Sequence, residues 1–421
     1  LSIHKPRGTN DILPDQVAAW HNLEKTVQAV AGEYGYREIR TPIFEHTELF
    51  ARGVGEHTDI VEKEMYTFLD RGSSSLTLRP EGTAPIVRAF VENGLYNQVL
   101  PCKVYYLGPM FRYDRPQAGR YRQFHQFGVE ALGSADPLLD AEMIKMADEV
   151  CRRLGITQRE MHINSLGCRG CRPAYIQKLR QHLQGRLAAL CDNCRARFDR
   201  NPLRVLDCKN EACRRETADS PAPVDSLCAD CAAHFAAVLN GLQALELQYV
   251  VDMRLVRGLD YYTLTAFEIM VSEIGAQSSI GGGGRYDRLV EECGGPATPG
   301  VGFAFGLERL LLAREQQAAV NAEPSGLEVF IAALAAADRI PALQLAAQLR
   351  EQGISVELDF LGRSLKAQMK FAGKIGARLV VIIGGEEATR DAVVVRDMRA
   401  AKQQELQRSE LAGFLVETLE Q

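Results

Sequence analysis

Three arginines, Arg112, Arg257 and Arg309, stand beside aromatic or side-chain-poor sequence in three separate parts of the chain. A guanidinium grips phosphate oxygens in pairs and also stacks on flat rings. If 121–132 is a strand, Phe124, Gln126, Gly128 and Glu130 share one face, and His125, Phe127 and Val129 share the other. The second set packs. The first offers a ring, an amide and a carboxylate in a row, with Arg112 and Arg120 at the strand ends. The same alternation places Gly302, Ala304 and Gly306 on one face, just before Glu308 and Arg309 open an apolar helix. A flat ligand can come into close backbone contact there, and the arginine can reach its anionic group. The stretch Arg257-Gly258-Leu259-Asp260-Tyr261-Tyr262 adds a cation, a flexible backbone joint and two phenols ahead of a further strand. Four glycines, Gly281 to Gly284, precede Arg285, but they match neither a phosphate loop nor the dinucleotide fingerprint. Any one of these patterns also fits an ordinary strand face or a packed turn. Together they suit a nucleoside triphosphate.

A second chemistry is written in cysteine. Eight of the eleven cysteines fall between 168 and 231, in four pairs: Cys168/Cys171, Cys191/Cys194, Cys208/Cys213 and Cys228/Cys231. Thiolate pairs with two or four residues between them suit tetrahedral zinc, so one or two four-cysteine zinc sites are expected against a reading of incidental thiols. Spacing leaves the connectivity open. Between 165 and 215 the chain carries 12 Lys and Arg against 4 Asp and Glu, although the whole protein is at −5. Such a local excess predicts a phosphate-binding surface.

Elements must hold these groups in place. Apolar residues at three- and four-residue steps predict a helix over 15–34, closed at Gly35, and a second helix starts at Thr83 with Pro85 in its first turn. Strands over 103–112 and 121–132, joined by a charged loop, predict an antiparallel hairpin. A helix then opens at Asp136-Pro137 and closes at Gly155. Strand patterns fade after Asn164 and return over 249–255 and 264–271, so one sheet domain is expected to be split by an insertion. Past small and polar residues near 316–326, strands and helices alternate in a compact, mostly parallel α/β domain. The expected division is 1–164 and 249–315 for the two halves of the first domain, 165–248 for the insertion, 316–326 for a linker and 327–421 for the last domain. The fold class is α+β / α/β multidomain.

Length and composition agree with that division. At 421 residues, 46% hydrophobic and 24% charged, the chain suits two or three globular domains rather than a disordered polymer or a disulfide-stapled miniprotein. The longest strand-like apolar run, 379–383, is far short of a membrane span, and 1–8 lacks a signal-peptide core. No membrane association and a cytoplasmic location are expected.

These motifs resemble those of bacterial histidyl-tRNA synthetases, a class II aminoacyl-tRNA synthetase family, nearly end to end outside part of the insertion. The similarity runs through Lys5-Pro6-Arg7-Gly8-Thr9, Thr41-Pro42 ahead of 44–50 (motif 1) and Leu78-Arg79-Pro80-Glu81-Gly82-Thr83. It continues through Phe111-Arg112 to Glu130 (motif 2) and 302–310 (motif 3). Most specific is Arg257 to Tyr262, which is similar to the family's second histidine motif. Many relatives have few cysteines in the insertion, and there the chain departs from the pattern.

The resemblance implies an antiparallel six- or seven-stranded catalytic sheet, a homodimer built on motif 1 and a C-terminal anticodon-binding domain. It implies that L-histidine and ATP, with Mg2+, give histidyl-adenylate by in-line attack at the α-phosphate, and that tRNA(His) then takes the acyl group. Arg112 would meet the α-phosphate and Arg309 the γ-phosphate, with Arg120 and Tyr121 nearby and adenine between Phe124 and Arg309. Arg257 would offset charge at the α-phosphorus. Glu81, Thr83 and Gln126 would face the substrate ammonium, and Glu130, Tyr261 and Tyr262 the imidazole end, with Arg112 and Arg257 bordering the same pocket. No editing domain is expected. Arg115 and Gln117 would meet the acceptor end, which carries an extra 5′ nucleotide in this tRNA. Lys366, Lys370 and Lys374 form a basic helix stripe toward tRNA, and the insertion would clamp the acceptor stem. Two rivals remain: the synthetase-like regulatory subunit of ATP phosphoribosyltransferase, which typically lacks the anticodon domain and has a degraded histidine loop, and a stand-alone enzyme that adenylates a small acid.

Overall fold

The computed structural model describes residues 2–55, 58–272, 278–317 and 327–419. The chain divides into two units, Leu1–Val320 and Asn321–Gln421. Most of the expected linker, 318–326, lies outside the described residues, and its first two residues end the Leu307–Gln317 helix.

The first unit is organised by an eight-stranded sheet in the order Arg37–Glu38, Cys102–Phe111, Gln123–Leu132, Gly300–Gly306, Ser279–Arg285, Thr263–Met270, Glu160–Ser165, Val250–Val251. The six inner strands pair antiparallel throughout, and the two-residue edge strands add by parallel pairing. The expected hairpin forms in full register from Cys102↔Leu132 to Phe111↔Gln123. The 249–255 strand shortens to Val250–Val251 because Asp252 turns the chain, its carboxylate accepting from the Arg254 amide at 2.9 Å.

Alternation divides the sheet's labour. Phe127, Val129, Val301, Phe303, Phe305, Phe267 and Ile269 point to one side, where helices Pro14–Glu33, Pro137–Arg153 and Ala229–Ala244 bury them in the main core. Asp136 caps the second of these helices, accepting from the Leu138 amide at 2.9 Å. The third lies at the end of the cysteine-rich segment, yet its Phe235, Val238 and Leu242 belong to this core. Arg285 is spent here too: fully buried, it pairs with buried Asp140 and donates to the Ser134 carbonyl at 2.8 Å.

A separate three-stranded sheet, Phe44–His46, Ser75–Leu78 and Tyr66–Leu69, covers the motif 1 region. Its faces are inverted. Glu45 and Thr77 turn inward, while Phe44 and Phe68 on the other face are 51% and 44% exposed.

The second unit has strands in the order Val356–Leu358, Val329–Ala333, Leu379–Ile383, Ala392–Asp397, Gln403–Gln407. Two ladders are parallel and two antiparallel, so the expected mostly parallel sheet is mixed. The sheet buries Val329 and Ile331 on one face with Leu345, Leu349 and Leu411, and Phe330 and Ala332 on the other with Ala372.

Candidate active site

The second face of the eight-stranded sheet is nearly bare of side chains. Strand register aligns Glu130, Gly302, Gly284 and Ala266 in one row, and Gly128, Ala304, Gly282 and Glu268 in the next. A Cβ at Gly302 would sit 1.9 Å from Glu130 Oε2, so the glycine makes room for that carboxyl. At Gly128 a Cβ would meet the Tyr106 ring at 2.1 Å, and at Gly282 it would lie 2.9 Å from Arg257 Nη1. The glycines expected to admit a ligand thus first admit the site's own side chains.

Above these rows opens a cleft of about 1160 Å3. Glu81, Thr83, Arg112, Arg120, Tyr121, Phe124, Gln126, Arg257, Tyr261, Tyr262 and Arg309 all line it, although they come from segments more than 200 residues apart. Arg112 donates from Nε to the Pro80 carbonyl at 2.8 Å and lies 5.2 Å from the Phe124 ring centre. Arg309 donates to the carbonyls of Gly119, at 3.2 Å, and Ser279. Burial first, and then the like charges of Arg120 and Arg112, hold Arg309 below the ordinary guanidinium range. Cations that repel one another across an open space await an anion. Arg120 is pinned meanwhile by Asp114 and, at 3.6 Å, by Glu64.

Arg257 lies over Gly282, gives Nη1 to Glu268 at 3.1 Å and stands 5.5 Å from the Tyr262 ring centre. Among the described residues its buried Nε has no hydrogen-bond partner, and neither has Gln126 Oε1. A ligand that supplies an acceptor to the first and a donor to the second would satisfy both. Glu81 accepts from the Thr83 and Ala84 amides at 2.9 and 2.8 Å and from Tyr261 OH at 3.4 Å. Its pKa is nonetheless raised, because burial outweighs these bonds.

Glu130 is placed one layer behind the cleft wall, 1% exposed. Thr83 OH donates to it at 2.7 Å and Tyr286 OH donates to its other oxygen. Burial pushes its pKa up to about 8 despite those two donors, and the charge of Glu81 adds to the rise.

Arg115 and Gln117 are exposed on the loop between the hairpin strands, away from the cleft, and Gln117 bridges to Arg120. In the second unit, Lys366, Lys370 and Lys374 form an exposed stripe on the Leu365–Lys374 helix.

The cysteines gather into two four-thiol groups, Cys168/Cys171/Cys228/Cys231 and Cys191/Cys194/Cys208/Cys213, with the sulfurs of each group within 4.8 Å of one another. In the first group the Cys168–Cys171, Cys168–Cys228 and Cys171–Cys231 sulfur separations are 3.8, 4.0 and 3.8 Å. Disulfides need about 2 Å. Thiolates on zinc at about 2.3 Å lie about 3.8 Å apart in a tetrahedron, so both groups fit that metal.

The insertion's arginine excess is largely committed within the protein. Arg197 and Arg204 donate to Asp59 at 2.7 and 2.9 Å, Arg200 to Glu62 at 3.1 Å, Arg169 to Glu292 at 2.8 Å and Arg186 to Asp219. Arg172 and Arg204 also hold the carbonyls of Tyr262 and Arg257, and Asn201 donates to Asp260 at 2.9 Å. Arg169 and Arg200 remain well exposed even in these pairs. Most of these partners lie outside the 165–215 window, where a local charge count misses them. The insertion also contributes cleft residues that sequence patterns did not single out, among them Arg204, Lys209 and Arg214.

Chemically, the cleft offers a polyanion seat beside a pocket with hydrogen-bond donors and acceptors for a small zwitterion. Residues 8–310 match the family model described as histidyl-tRNA synthetase, and residues 328–418 match that of an anticodon binding domain. A histidine–tRNA ligase of Desulforamulus reducens is 59% identical over 98% of each chain. One from Pelotomaculum thermopropionicum is 57% identical, over 99% of this chain and 98% of its own. The crystal structure of apo histidyl-tRNA synthetase from S. aureus superposes with a TM-score of 0.83 at 37% identity, covering 98% of this chain and all of the other.

Proposed function

The chain belongs to the histidyl-tRNA synthetase family, and from that premise we propose how its cleft divides the work. The enzyme ligates L-histidine to tRNA(His) at the expense of ATP, through a histidyl-adenylate. The observation that carries the assignment of roles is the convergence of Arg112, Arg257 and Arg309 on one cleft.

In this reading Arg112 takes the α-phosphate and Arg309 the γ-phosphate, with Arg120 and Tyr121 beside them. Adenine lies between Phe124 and the Arg309 plane. Attack by the histidine carboxylate crowds negative charge at the α-phosphorus, and the unpartnered Arg257 Nε is the donor available to offset it. Enzymes of this class use ATP with Mg2+. The ion would enter on the triphosphate, with cleft carboxylates such as Glu268 offering the hard oxygen ligands it takes. It would neutralise phosphate charge there.

The histidine ammonium donates to Glu81, Thr83 and the open Gln126 Oε1. Tyr262 and Glu130 meet the two imidazole nitrogens, with Tyr261 packed against Tyr262. Each Glu130 oxygen keeps a second lone pair beyond the one used by Thr83 or Tyr286.

Arg115 and Gln117 reach the tRNA acceptor end, and Lys366, Lys370 and Lys374 meet RNA phosphates. The insertion meets the acceptor stem. The inverted motif 1 sheet supports a homodimer, because an exposed face bearing Phe44 and Phe68 is suited to a second copy of itself. Among the described residues no helix is long and apolar enough to cross a membrane, and we place the enzyme in the cytoplasm. The regulatory-subunit alternative is less supported, given the matched anticodon-binding domain and the 59% identity to a ligase.

Histidine-dependent ATP–pyrophosphate exchange across a panel of amino acids, followed by charging of tRNA, tests the assignment. Arg257→Ala should lower the exchange rate by about 10²–10³ while ATP binding persists. Equal loss of binding and rate would remove its role in the transition state.

A further inference from the structure

The two cysteine groups occupy different positions. Cys168, Cys171, Cys228 and Cys231 join the start and end of the insertion, and none of them touches the cleft. Cys191 and Cys208 of the other group line the cleft itself. The cysteines of that second group sit at or beside the short helices Asp192–Arg200, Leu203–Leu206 and Glu211–Glu216. Each is shorter than the roughly 12–15 residues at which a helix becomes marginally stable alone. The Cys191–Cys208 sulfur separation of 3.9 Å matches a tetrahedral edge, and the Cys191 amide donates to Cys213 sulfur at 3.2 Å. A metal here would cross-link the three short helices at the cleft edge, adding to the ion pairs to Asp59 and Glu62 and the small apolar cluster that hold them.

Next to Cys208 stands Lys209, which opens into the cleft on the same wall as Arg120 and Arg309. Its ammonium makes no ion pair or hydrogen bond among the described residues, whereas its arginine neighbours are all tethered. Asp207 and Glu268 also act on it from the cleft lining without closing an ion pair, so beside Arg120 and Arg309 it is a place for a highly charged anion.

We propose that Cys191, Cys194, Cys208 and Cys213 bind a structural zinc ion that fixes Lys209 over the cleft as an added contact for the β- and γ-phosphates of ATP. This deepens the ATP-site reading and rests on it. The insertion is then part of the nucleotide site, and its metal is a positioning device with no part in the chemistry.

The test uses the full-length enzyme. Zinc per chain is counted by native mass spectrometry and elemental analysis, and the KM values for ATP and histidine come from pyrophosphate exchange. We expect two zinc ions per wild-type chain. Lys209→Ala should keep both and raise the KM for ATP about tenfold, as loss of one charge-assisted contact does, with the histidine KM unchanged. Cys208→Ser should lose one zinc ion and raise the ATP KM to the same degree, and adding Lys209→Ala to it should change nothing more. Cys228→Ser should lose the other ion and leave the ATP KM alone. If Cys208→Ser does not fold, Lys209→Ala and the visible absorption of cobalt-grown wild-type enzyme decide. Zinc-free active enzyme, an unchanged ATP KM in Lys209→Ala, or an equal effect from Cys228→Ser overturns the proposal. A wild-type enzyme without histidine-dependent exchange would instead count against the ATP-site reading, and the zinc count would stand apart from it.

Discussion

Glu130 should make the catalytic unit less stable as pH rises, in a way that Glu130→Gln abolishes. The carboxyl has an ordinary value of 4.5 when unfolded and is pushed up to about 8 by burial in the folded chain. Between those values the folded state holds one proton more than the unfolded state, so stability is greatest at low pH and falls as pH climbs toward 8. From pH 5.5 to 7.5 the loss comes to about 2–3 kcal/mol. Because the group is 1% exposed, solvent screening takes little from that figure. The chain has one tryptophan, Trp20, whose ring lies 5.0 Å from His125 beside the main core, so its fluorescence reports unfolding of this unit alone. Urea titrations at the two pH values should show wild type losing about 2–3 kcal/mol more than Glu130→Gln. A gap between the two proteins that does not change with pH would mean that Thr83 and Tyr286 keep Glu130 ionised, and the burial argument would be refuted.

Three further outcomes follow from other features. Gly302→Ala forces a Cβ to 1.9 Å from Glu130 Oε2 and 2.5 Å from the Val129 carbonyl; Trp20-monitored denaturation should show a loss of about 1–3 kcal/mol, and exchange activity should collapse with it. Phe68→Lys places a charge in the exposed apolar face of the motif 1 sheet, and light scattering coupled to size exclusion should then report monomers where wild type gives dimers. Changing Lys366, Lys370 and Lys374 together to alanine should raise the tRNA KM in charging severalfold, with pyrophosphate exchange untouched and the difference shrinking at high salt.

What could be read in the sequence followed local rules. Side-chain alternation located the hairpin to within two residues at each end, and Gly35 and Gly155, with φ of 80° and 77°, close their helices where a left-handed residue is needed. The stripped row of Gly302, Ala304 and Gly306 faces the cleft as its period of two requires. What escaped depends on distant partners or on backbone alone. The last sheet is mixed because Ala392–Asp397 returns antiparallel to Leu379–Ile383, and Gln403–Gln407, a polar edge with no apolar alternation, pairs antiparallel in turn. Which thiols share a group is set by bringing Cys168 beside Cys228, sixty positions away. Lys209 follows no periodicity, and only the folded insertion places it in the cleft.

The Ala229–Ala244 helix approaches Pro137–Arg153 so closely that a methyl at Gly241 would lie 2.9 Å from Ala141 Cβ. Splicing Asn164 directly to Tyr249 would therefore tear out a wall of the main core along with the cysteine-rich segment. Any lineage or engineer shortening this enzyme must leave the final helix docked against the sheet.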